Sequence, residues 1–225
     1  MSFPVTMAIG FVFMVSFGLL LNTETKYPVW KMLIAFTAFG IVGYLGIKLM
    51  FFIETGGWSG RSYFGAVLIA PLLMYPVSLL LKFPYPQMLD STVPTAAMFS
   101  AIIKIDCLIE GCCRGIVLKT LEDGSYIRFP SQMAEFTANL IIMGVLIKMH
   151  RSRKYQGLIY PWYLVIYGAV RFILNLFRET VPFVWILPAG NFWSLIAILI
   201  GGTVLLLHKA KAEQQRAKKK KPRRT

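Results

Sequence analysis

The chain has 225 residues, of which 56% are hydrophobic and 15% are charged, and its mean hydropathy is +0.62. A soluble domain carries about 25% charged residues, so this composition excludes an ordinary soluble domain. The formal net charge is +14, and the final segment KAKAEQQRAKKKKPRRT holds a large share of the basic residues. Beside a membrane helix, such a block indicates a disordered cytoplasmic tail attracted to anionic lipid, rather than a nucleic-acid-binding segment.

Apolar stretches of about 18 residues or more recur along the chain, which predicts an all-α polytopic membrane protein. We expect about seven transmembrane helices within residues 1–208, followed by the basic tail at 209–225. The fourth span is short and carries Lys104 and Asp106 near its end. The predicted spans are Phe3–Leu21, Trp30–Ile53, Tyr63–Leu81, Val93–Ile109, Met133–Met149, Leu158–Phe177 and Val184–Leu207.

Basic residues are unevenly distributed among the predicted loops. The loop Lys148–Lys154 holds four basic residues and no acid, and the tail is also basic, so both are expected on the cytoplasmic side. With seven spans, the N-terminus and the polar loops Glu54–Ser62 and Glu110–Gln132 then lie outside. We therefore expect a site near the outer leaflet of the plasma or inner membrane.

The sixth predicted span contains IYGAVRFILNLFRE, which places two arginines in a membrane segment. Its polar residues recur at intervals of four, four and three, so they share one helix face. They are Tyr167, Arg171, Asn175 and Arg178. An arginine as deep as Arg171 normally faces the interior of the bundle and has a partner. It could hold a phosphate bidentately or form a structural ion pair, for instance with Glu135, and a ligand could displace that pair.

The segment RFPSQMAE, which begins at Arg128, opens the fifth predicted span. A capped helix start explains Pro130 and Ser131. It does not explain Gln132 and Glu135, which lie three residues apart and point into the membrane region. An ionisable residue there is a functional candidate by default.

The segment KIDCLIEGCCRG, residues 104–115, contains all three cysteines. They could be buried apolar fillers, or one could be a thiolate nucleophile activated by Lys104 or Arg114. Zinc prefers four ligands and both histidines fall on the cytoplasmic side, so we expect no metal and no cofactor. Gly111 and Gly115 permit close approach of a lipid head group.

The outer loop GGWSGRSYFG leads into the third predicted span. Its glycines could form only a turn, and its aromatic residues fit an anchor at the membrane interface. Arg61 could in addition bind an anionic head group.

Together these segments resemble the prolipoprotein diacylglyceryl transferase family over most of the chain. Four matches carry the resemblance: Tyr167, Gly168, Arg171 and Arg178 in a Y-G-x-x-R-F segment; Arg128, Pro130, Ser131, Gln132 and Glu135 in an R-x-P-S-Q-x-x-E segment; the central glycines Gly111 and Gly115; and Ser62 and Gly65 at the third span. The resemblance implies a seven-span inner-membrane enzyme with its N-terminus outside. Such an enzyme moves the diacylglyceryl group of phosphatidylglycerol to the thiol of a lipobox cysteine in a prolipoprotein signal peptide, and it releases glycerol phosphate.

The chain also departs from the family pattern. Phe64 stands where the family has a histidine, and Asn175 stands where it has a glutamate. The remaining departures are Ala66 for a glycine, Lys104 for an arginine, Cys107 for an asparagine and Cys112 for a glutamate. Because a thiol acceptor must be activated, another group would have to serve as base. The candidates are Tyr167, Glu110, Glu135 and Cys112.

The leading hypothesis is a transferase that uses an anionic glycerophospholipid as donor and a protein cysteine, or a different acceptor, as recipient. Its predicted catalytic residues are Arg171, Tyr167, Glu135 and Cys112. Its predicted substrate-binding residues are Arg178, Arg128, Lys104, Gln132, Ser131, Asn175, Glu110, Gly111, Gly115, Arg61, Ser62 and Gly65. One alternative is a non-catalytic membrane protein that binds or moves phospholipid, and another is a partner subunit that uses its basic tail.

Overall fold

A computed structural model describes residues 3–23, 27–180, 182–184 and 186–220 of the chain. Over these ranges the chain is mostly helical, as the composition predicts, and two short β-hairpins are added to the expected all-α architecture. The helices are α1 Phe3–Leu21, α2 Val29–Thr55, α3 Ala70–Leu80, α4 Tyr85–Glu110, α5 Ser131–His150, α6 Ile159–Leu176 and α7 Ala189–Lys220. The strands are β1 Val117–Thr120 with β2 Tyr126–Arg128, and β3 Pro182–Val184 with β4 Leu187–Pro188, both pairs antiparallel.

Five helices are long and apolar enough to cross a membrane by length and composition. They contain the spans Val29–Thr55, Tyr85–Glu110, Ser131–His150, Ile159–Leu176 and Ala189–Gln215. Two further apolar helical segments, Val5–Leu21 and Gly65–Leu80, are shorter. Large apolar side chains such as Leu72, Leu80 and Leu206 are exposed on the outer faces of the helices, which suits contact with lipid. The number of seven spans and the orientation of the termini stay predictions.

Proline and glycine set the ends of the helices beside the cavity. Pro84 precedes α4, and Gly111 ends it with a φ of 66°, a left-handed conformation that glycine adopts without steric penalty. Pro130 similarly precedes α5. These ends place the turn after α4 next to the start of α5.

Helix α4 begins at Tyr85, eight residues before the predicted start at Val93. Polar residues lower the hydropathy of its first turns, but they face the bundle and not lipid. Asp90, for example, is buried and accepts hydrogen bonds from the backbone N–H groups of Gly157 and, at 3.0 Å, of Ile159. Asp90 therefore supplies acceptors at the start of α6, where helical N–H groups lack partners.

Helix α7 differs from its predicted bounds at both ends. Strands β3 and β4 precede it, so that the helix begins at Ala189 and not at Val184. It continues to Lys220 and thus enters the segment 209–225 that the sequence predicts to be a disordered tail. Residues 221–225 of that tail lie outside the described residues, and the division at residue 208 stays a prediction.

The helices around the cavity pack both against the next helix in the sequence and against helices more distant in the sequence. Helix α6 packs along α7 and α5, and α4 packs along α5 and α1. An added Cβ at Gly168 would lie 2.8 Å from the Ser194 carbonyl oxygen, so glycine allows α6 and α7 to approach closely. Thr6 donates a hydrogen bond of 2.9 Å to Asp106 and thereby joins α1 to α4.

Candidate functional site

A cavity of about 710 Å³ opens between α1, α2, α4 and α6, a size typical of small-ligand sites. Helix α4 contributes Lys104, Cys107 and Glu110 to its wall, and α6 contributes Tyr167, Arg171 and Asn175. The turn after α4 adds Cys112 and Cys113, and the segment after α6 adds Arg178 and Glu179. Segments far apart in the sequence therefore meet at one cavity.

Three cations surround one buried carboxylate beside this cavity. Glu135 of α5 is only 3% exposed. Its Oε2 atom pairs with Lys104 Nζ at 2.5 Å and with Arg171 Nη1, and its Oε1 atom pairs with Arg178 Nη1 at 3.4 Å. The ion pair between Arg171 and Glu135, one of the alternatives expected from the sequence, is therefore present. The cluster also joins α4, α5 and α6 at one point.

The cluster has an excess of positive charge. Its three cations share a single carboxylate, and all three line the cavity while Glu135 lies behind them. Arg178 Nε is buried and has no hydrogen-bond partner among the described residues. Because an unpartnered donor and uncompensated charge are both costly when buried, this wall of the cavity is suited to an anionic ligand.

The turn after α4 is held by the first residues of α5. Ser131 Oγ donates to the Cys113 carbonyl oxygen at 2.5 Å, and Gln132 Nε2 donates to the Cys112 carbonyl oxygen at 2.6 Å. Ser131 and Gln132, for which substrate binding stays a prediction, contact protein backbone and are not among the described residues that line the cavity. They fix the position of the two cysteines.

The three cysteines come together at the cavity wall. The Sγ atoms of Cys107, Cys112 and Cys113 all lie within 4.8 Å of one another. A hydrogen bond from the Cys107 thiol, with the nearby charges of Lys104 and Arg178, lowers the pKa of Cys113 below its ordinary value. Burial raises the pKa of Cys112. The thiols thus form one interacting group facing the cavity.

Arg128 lies beside the cavity but is not among the described residues that line it. Its Nη1 atom pairs with Glu179 at 2.5 Å and donates to the Gly115 carbonyl oxygen at 3.1 Å. An added Cβ at Gly115 would lie 2.1 Å from the Phe129 carbonyl oxygen, so glycine is needed for this close packing. Arg128 and Gly115 therefore attach the β1–β2 hairpin to the segment after α6.

Aromatic side chains cluster around Tyr167, one helical turn before Arg171 on α6. Tyr167 contacts Tyr63, Phe64 and Tyr163, with ring centroids 5.7, 5.7 and 5.3 Å away. Phe64 is buried in this group, at the position where the resemblance implies a histidine. Asn175 lines the cavity and donates a 2.6 Å hydrogen bond to Asn191 of α7.

The loop before α3 reaches the cavity as well. Arg61 and Ser62 line it, and Ser62 donates a 2.6 Å hydrogen bond to Glu54. Gly65 is not among the described residues that line the cavity. It packs against α2, where a Cβ added to Gly65 would lie 1.8 Å from the Gly46 carbonyl oxygen. Gly111 likewise serves the backbone, as the end of α4.

The structure adds residues to the site that the sequence did not single out. They include Glu54, Tyr63, Ser100, Glu179 and Gly190. Glu179 adjoins the predicted Arg178, so proximity in sequence could have indicated it. Tyr63 and Ser100 carried no comparable signal, because aromatic and small hydroxyl residues are common in any membrane helix. Neither histidine lines the cavity, and both His150 and His208 are described.

An apolar helical bundle with a cation-lined cavity defines the chain as a multi-pass membrane protein. A family model described as prolipoprotein diacylglyceryl transferase matches residues 2–207. The chain belongs to this prolipoprotein diacylglyceryl transferase family, as the sequence motifs predict.

Several curated proteins are similar to the chain, each named phosphatidylglycerol–prolipoprotein diacylglyceryl transferase. The Clostridium tetani protein is 24% identical over 154 residues, which cover 64% of this chain and 62% of that protein. The Campylobacter lari protein is 28% identical over 157 residues, 66% of this chain and 58% of that protein. The Verminephrobacter eiseniae protein is 34% identical over 82 residues, 35% of this chain and 30% of that protein. The matched part of the chain thus spans less than two thirds of these relatives.

Proposed function

We propose that the chain is a membrane transferase whose donor is phosphatidylglycerol. It transfers the diacylglyceryl group either to the cysteine thiol of a prolipoprotein signal peptide or to a different acceptor. Membership of the family and the names of its relatives support this class of reaction.

The observation that carries the proposal is the positive charge around Glu135. Lys104, Arg171 and Arg178 face the cavity and share one carboxylate. A phospholipid phosphate placed there would receive charge-assisted hydrogen bonds, including one from the unpartnered Arg178 Nε. The bound anion would in turn offset the burial of the cations.

The same charges would favour the transfer step. The acceptor sulfur attacks the glycerol carbon that bears the phosphate ester, the carbon–oxygen bond breaks, and glycerol phosphate leaves with the bonding electron pair. Negative charge therefore grows on the departing phosphate, where fixed cations stabilise the transition state more than the ground state. Arg171, the most deeply placed arginine of the predicted stripe, is our proposed phosphate-holding residue.

The site lies, in our proposal, near the outer leaflet of the cell membrane. The basic loop at Lys148–Lys154 and the basic end of α7 support a cytoplasmic location for the opposite side. An acceptor signal peptide and the lipid donor could then both reach the cavity from the outer side.

The group that activates the acceptor is restricted by the geometry. Glu135 is an unsuitable base because three cations already occupy its carboxylate. Glu110, Tyr167 and Cys112 line the cavity and remain available. Asn175 stabilises the α6–α7 contact through Asn191 and has no basic group.

The proposal is tested with purified full-length protein in micelles, supplied with phosphatidylglycerol and a lipobox peptide. Mass spectrometry follows the peptide and the lipid together. We expect the peptide to gain a diacylglyceryl mass as glycerol phosphate appears. Lipid consumption with an unmodified peptide would refute the cysteine acceptor, and no change in either would refute the transferase in favour of a lipid-binding protein.

The variant Arg171→Ala tests the role of the cationic cluster. We expect transfer to fall by about 100-fold or more, as when a donor that stabilises transition-state charge is removed. The protein should stay folded because Lys104 and Arg178 still pair with Glu135. The control is Arg151→Ala, which removes an exposed cation outside the cavity lining. Undiminished transfer by Arg171→Ala would contradict the assignment.

A further inference from the structure

Three sulfur atoms converge on the cavity from the end of α4 and the turn that follows it. The Sγ atoms of Cys107, Cys112 and Cys113 lie within 4.8 Å of one another, and all three residues line the cavity. In a tetrahedral zinc site with zinc–sulfur bonds of about 2.3 Å, the sulfurs lie about 3.8 Å apart. Small side-chain rotations would therefore bring these sulfurs to the spacing of zinc ligands.

The backbone that carries the sulfurs is held in place before any ligand binds. The Cys112 N–H donates to the Cys107 carbonyl oxygen at 3.1 Å, which folds the turn back over the helix end. Cys113 has a φ of 59°, a left-handed conformation that is unfavourable for a residue with a Cβ. Ser131 and Gln132 hold the carbonyl groups of Cys113 and Cys112. The contacts thus maintain a strained turn that directs the thiols together.

The charges around the sulfurs suit an anionic metal–thiolate group. Three thiolates and one Zn²⁺ ion together carry one negative charge. Lys104 and Arg178 lie close enough to Cys113 to interact with it electrostatically. They would offset the charge of the complex, just as they would offset that of a phosphate.

The ligand set is incomplete on the side that faces the cavity. Among the described residues no histidine, aspartate or glutamate joins this group of ligand atoms, and the chain has no cysteine beyond these three. Zinc bound by three protein ligands keeps its fourth position for water or substrate, which is the arrangement of catalytic zinc sites. The vacant position would lie in the same cavity as Arg171.

We propose that Cys107, Cys112 and Cys113 bind a zinc ion whose fourth position takes the acceptor thiol. This inference rests on the proposed function, because it assigns the group that activates the acceptor. It departs from the sequence-based expectation of no metal. That expectation counted possible ligands, whereas the close approach of the three sulfurs is visible only in the folded protein. Zinc would take the activating role for which Glu110, Tyr167 and Cys112 are the other candidates. Phe64 and Glu135 are not candidates, since Phe64 has no basic atom and Glu135 is already paired with cations.

The transfer of the diacylglyceryl group to the acceptor thiol needs no reagent other than the two substrates and water. The acceptor thiol displaces water from zinc and releases its proton to solvent, since zinc-bound thiols are deprotonated. The thiolate sulfur then forms a bond to the glycerol carbon, and the carbon–oxygen bond to phosphate breaks. The thioether product is a weaker zinc ligand than a thiolate and is replaced by water.

Cobalt absorption tests the site independently of transfer. Purified full-length protein in micelles is stripped of metal with a chelator and titrated with Co²⁺, and zinc affinity is measured by competition. We expect one Co²⁺ per chain, with sulfur-to-cobalt charge-transfer bands and the visible bands of a tetrahedral ion. Cys113→Ser should weaken zinc binding by more than about 100-fold, since even outer partners of metal ligands are worth about 10–100-fold. The control Glu122→Gln alters an exposed turn and should bind normally.

The lipobox peptide then tests the fourth position. Its addition should raise the charge-transfer intensity by about one third, as three thiolate ligands become four. A peptide with serine in place of cysteine should leave the spectrum unchanged. Binding of Co²⁺ with no response to the thiol peptide would overturn the proposal.

The transfer assay separates this proposal from the proposed function. Transfer that persists in metal-free protein, with no Co²⁺ binding, would overturn the zinc site and leave the transferase intact. A peptide-responsive metal site without any transfer would support the zinc site and refute the transferase. Loss of transfer on chelation, with recovery on adding Zn²⁺, would support both.

Discussion

At the scale of single residues, Glu135 determines how the cations of the cavity wall are arranged. A buried carboxylate with one partner would form a simple ion pair, but Glu135 has three partners from α4, α6 and the segment after α6. The shared carboxylate holds the cations close together despite their mutual repulsion. Because one carboxylate neutralises only one of the three positive charges, the cluster keeps enough positive charge to bind an anion.

The variant Glu135→Gln should therefore destabilise the protein more than Arg171→Ala does. Breaking a buried ion pair costs about 3–5 kcal/mol when a charge is left uncompensated. Glu135→Gln leaves three cations without a counter-charge, whereas Arg171→Ala leaves the carboxylate paired with Lys104 and Arg178. Thermal unfolding of both variants in micelles measures the difference, and equal unfolding temperatures would show that the cluster is not organised around Glu135.

Residue spacing predicted part of this site but not all of its contacts. The face shared by Arg171 and Arg178 follows from helical periodicity, and Glu135 was a natural partner because buried arginines require one. Lys104 lies on a different helix, and its contact with the same carboxylate depends on how α4 packs against α5. Periodicity within one helix carries no information about that packing.

At the scale of elements, close backbone contact sets the position of the segment that leads into α3. The residues Gly65–Ile69 form a π-helical turn, and Gly65 packs directly on Gly46 of α2. This contact fixes the chain that carries Arg61 and Ser62 to the cavity. A glycine predicted to bind substrate thus supports the site through helix packing.

The variant Gly65→Ala should disrupt this contact, with Gly43→Ala as a matched control in α2. The new Cβ at residue 65 would lie 1.8 Å from the Gly46 carbonyl oxygen, and backbone must move to accept it. Overpacking of this kind costs about 1–3 kcal/mol. A Cβ at Gly43 meets nothing within 4 Å, so alanine there should be neutral or stabilising by up to about 1 kcal/mol. Unfolding in micelles distinguishes them, and equal stability would argue against the close contact.

The two ends of α4 were predicted with different accuracy. Pro130 directly precedes α5, as predicted for a residue at a helix start, and α4 ends at Glu110, one residue after the predicted Ile109. The start of α4 was placed too late because Asp90 and neighbouring polar residues lower the local hydropathy, although they are buried in the bundle and Asp90 accepts a hydrogen bond from the start of α6. Hydropathy cannot distinguish a polar residue in a loop from one satisfied inside a bundle.

At the scale of the whole molecule, the direction in which the bundle crosses the membrane decides which substrates reach the cavity. The basic loop at Lys148–Lys154 and the basic end of α7 predict one cytoplasmic side. The β1–β2 hairpin, which adjoins the cavity through Arg128, then lies on the other side. An acceptor delivered from outside requires this orientation.

Single cysteines test the orientation in a variant whose three native cysteines are serine. Asp123→Cys lies in the exposed turn between β1 and β2, and Lys154→Cys lies in the exposed loop before α6. A membrane-impermeant maleimide added to intact spheroplasts should label residue 123 and not residue 154. Permeabilised cells, in which both should react, provide the control. The reverse labelling pattern would place the cavity on the cytoplasmic side.

The sequence alone determined that this is a multi-pass membrane protein with charged residues inside its apolar helices. Long apolar stretches require helices in a membrane, and charged residues retained within them require partners or a ligand, so both conclusions follow from local composition and spacing. Only the tertiary structure decided that Lys104, Arg171 and Arg178 share Glu135, that Ser131 and Gln132 hold a turn, and that three sulfurs meet. These contacts join residues from separate helices, and helix packing, which depends on the shape of every contacting surface, brings them together.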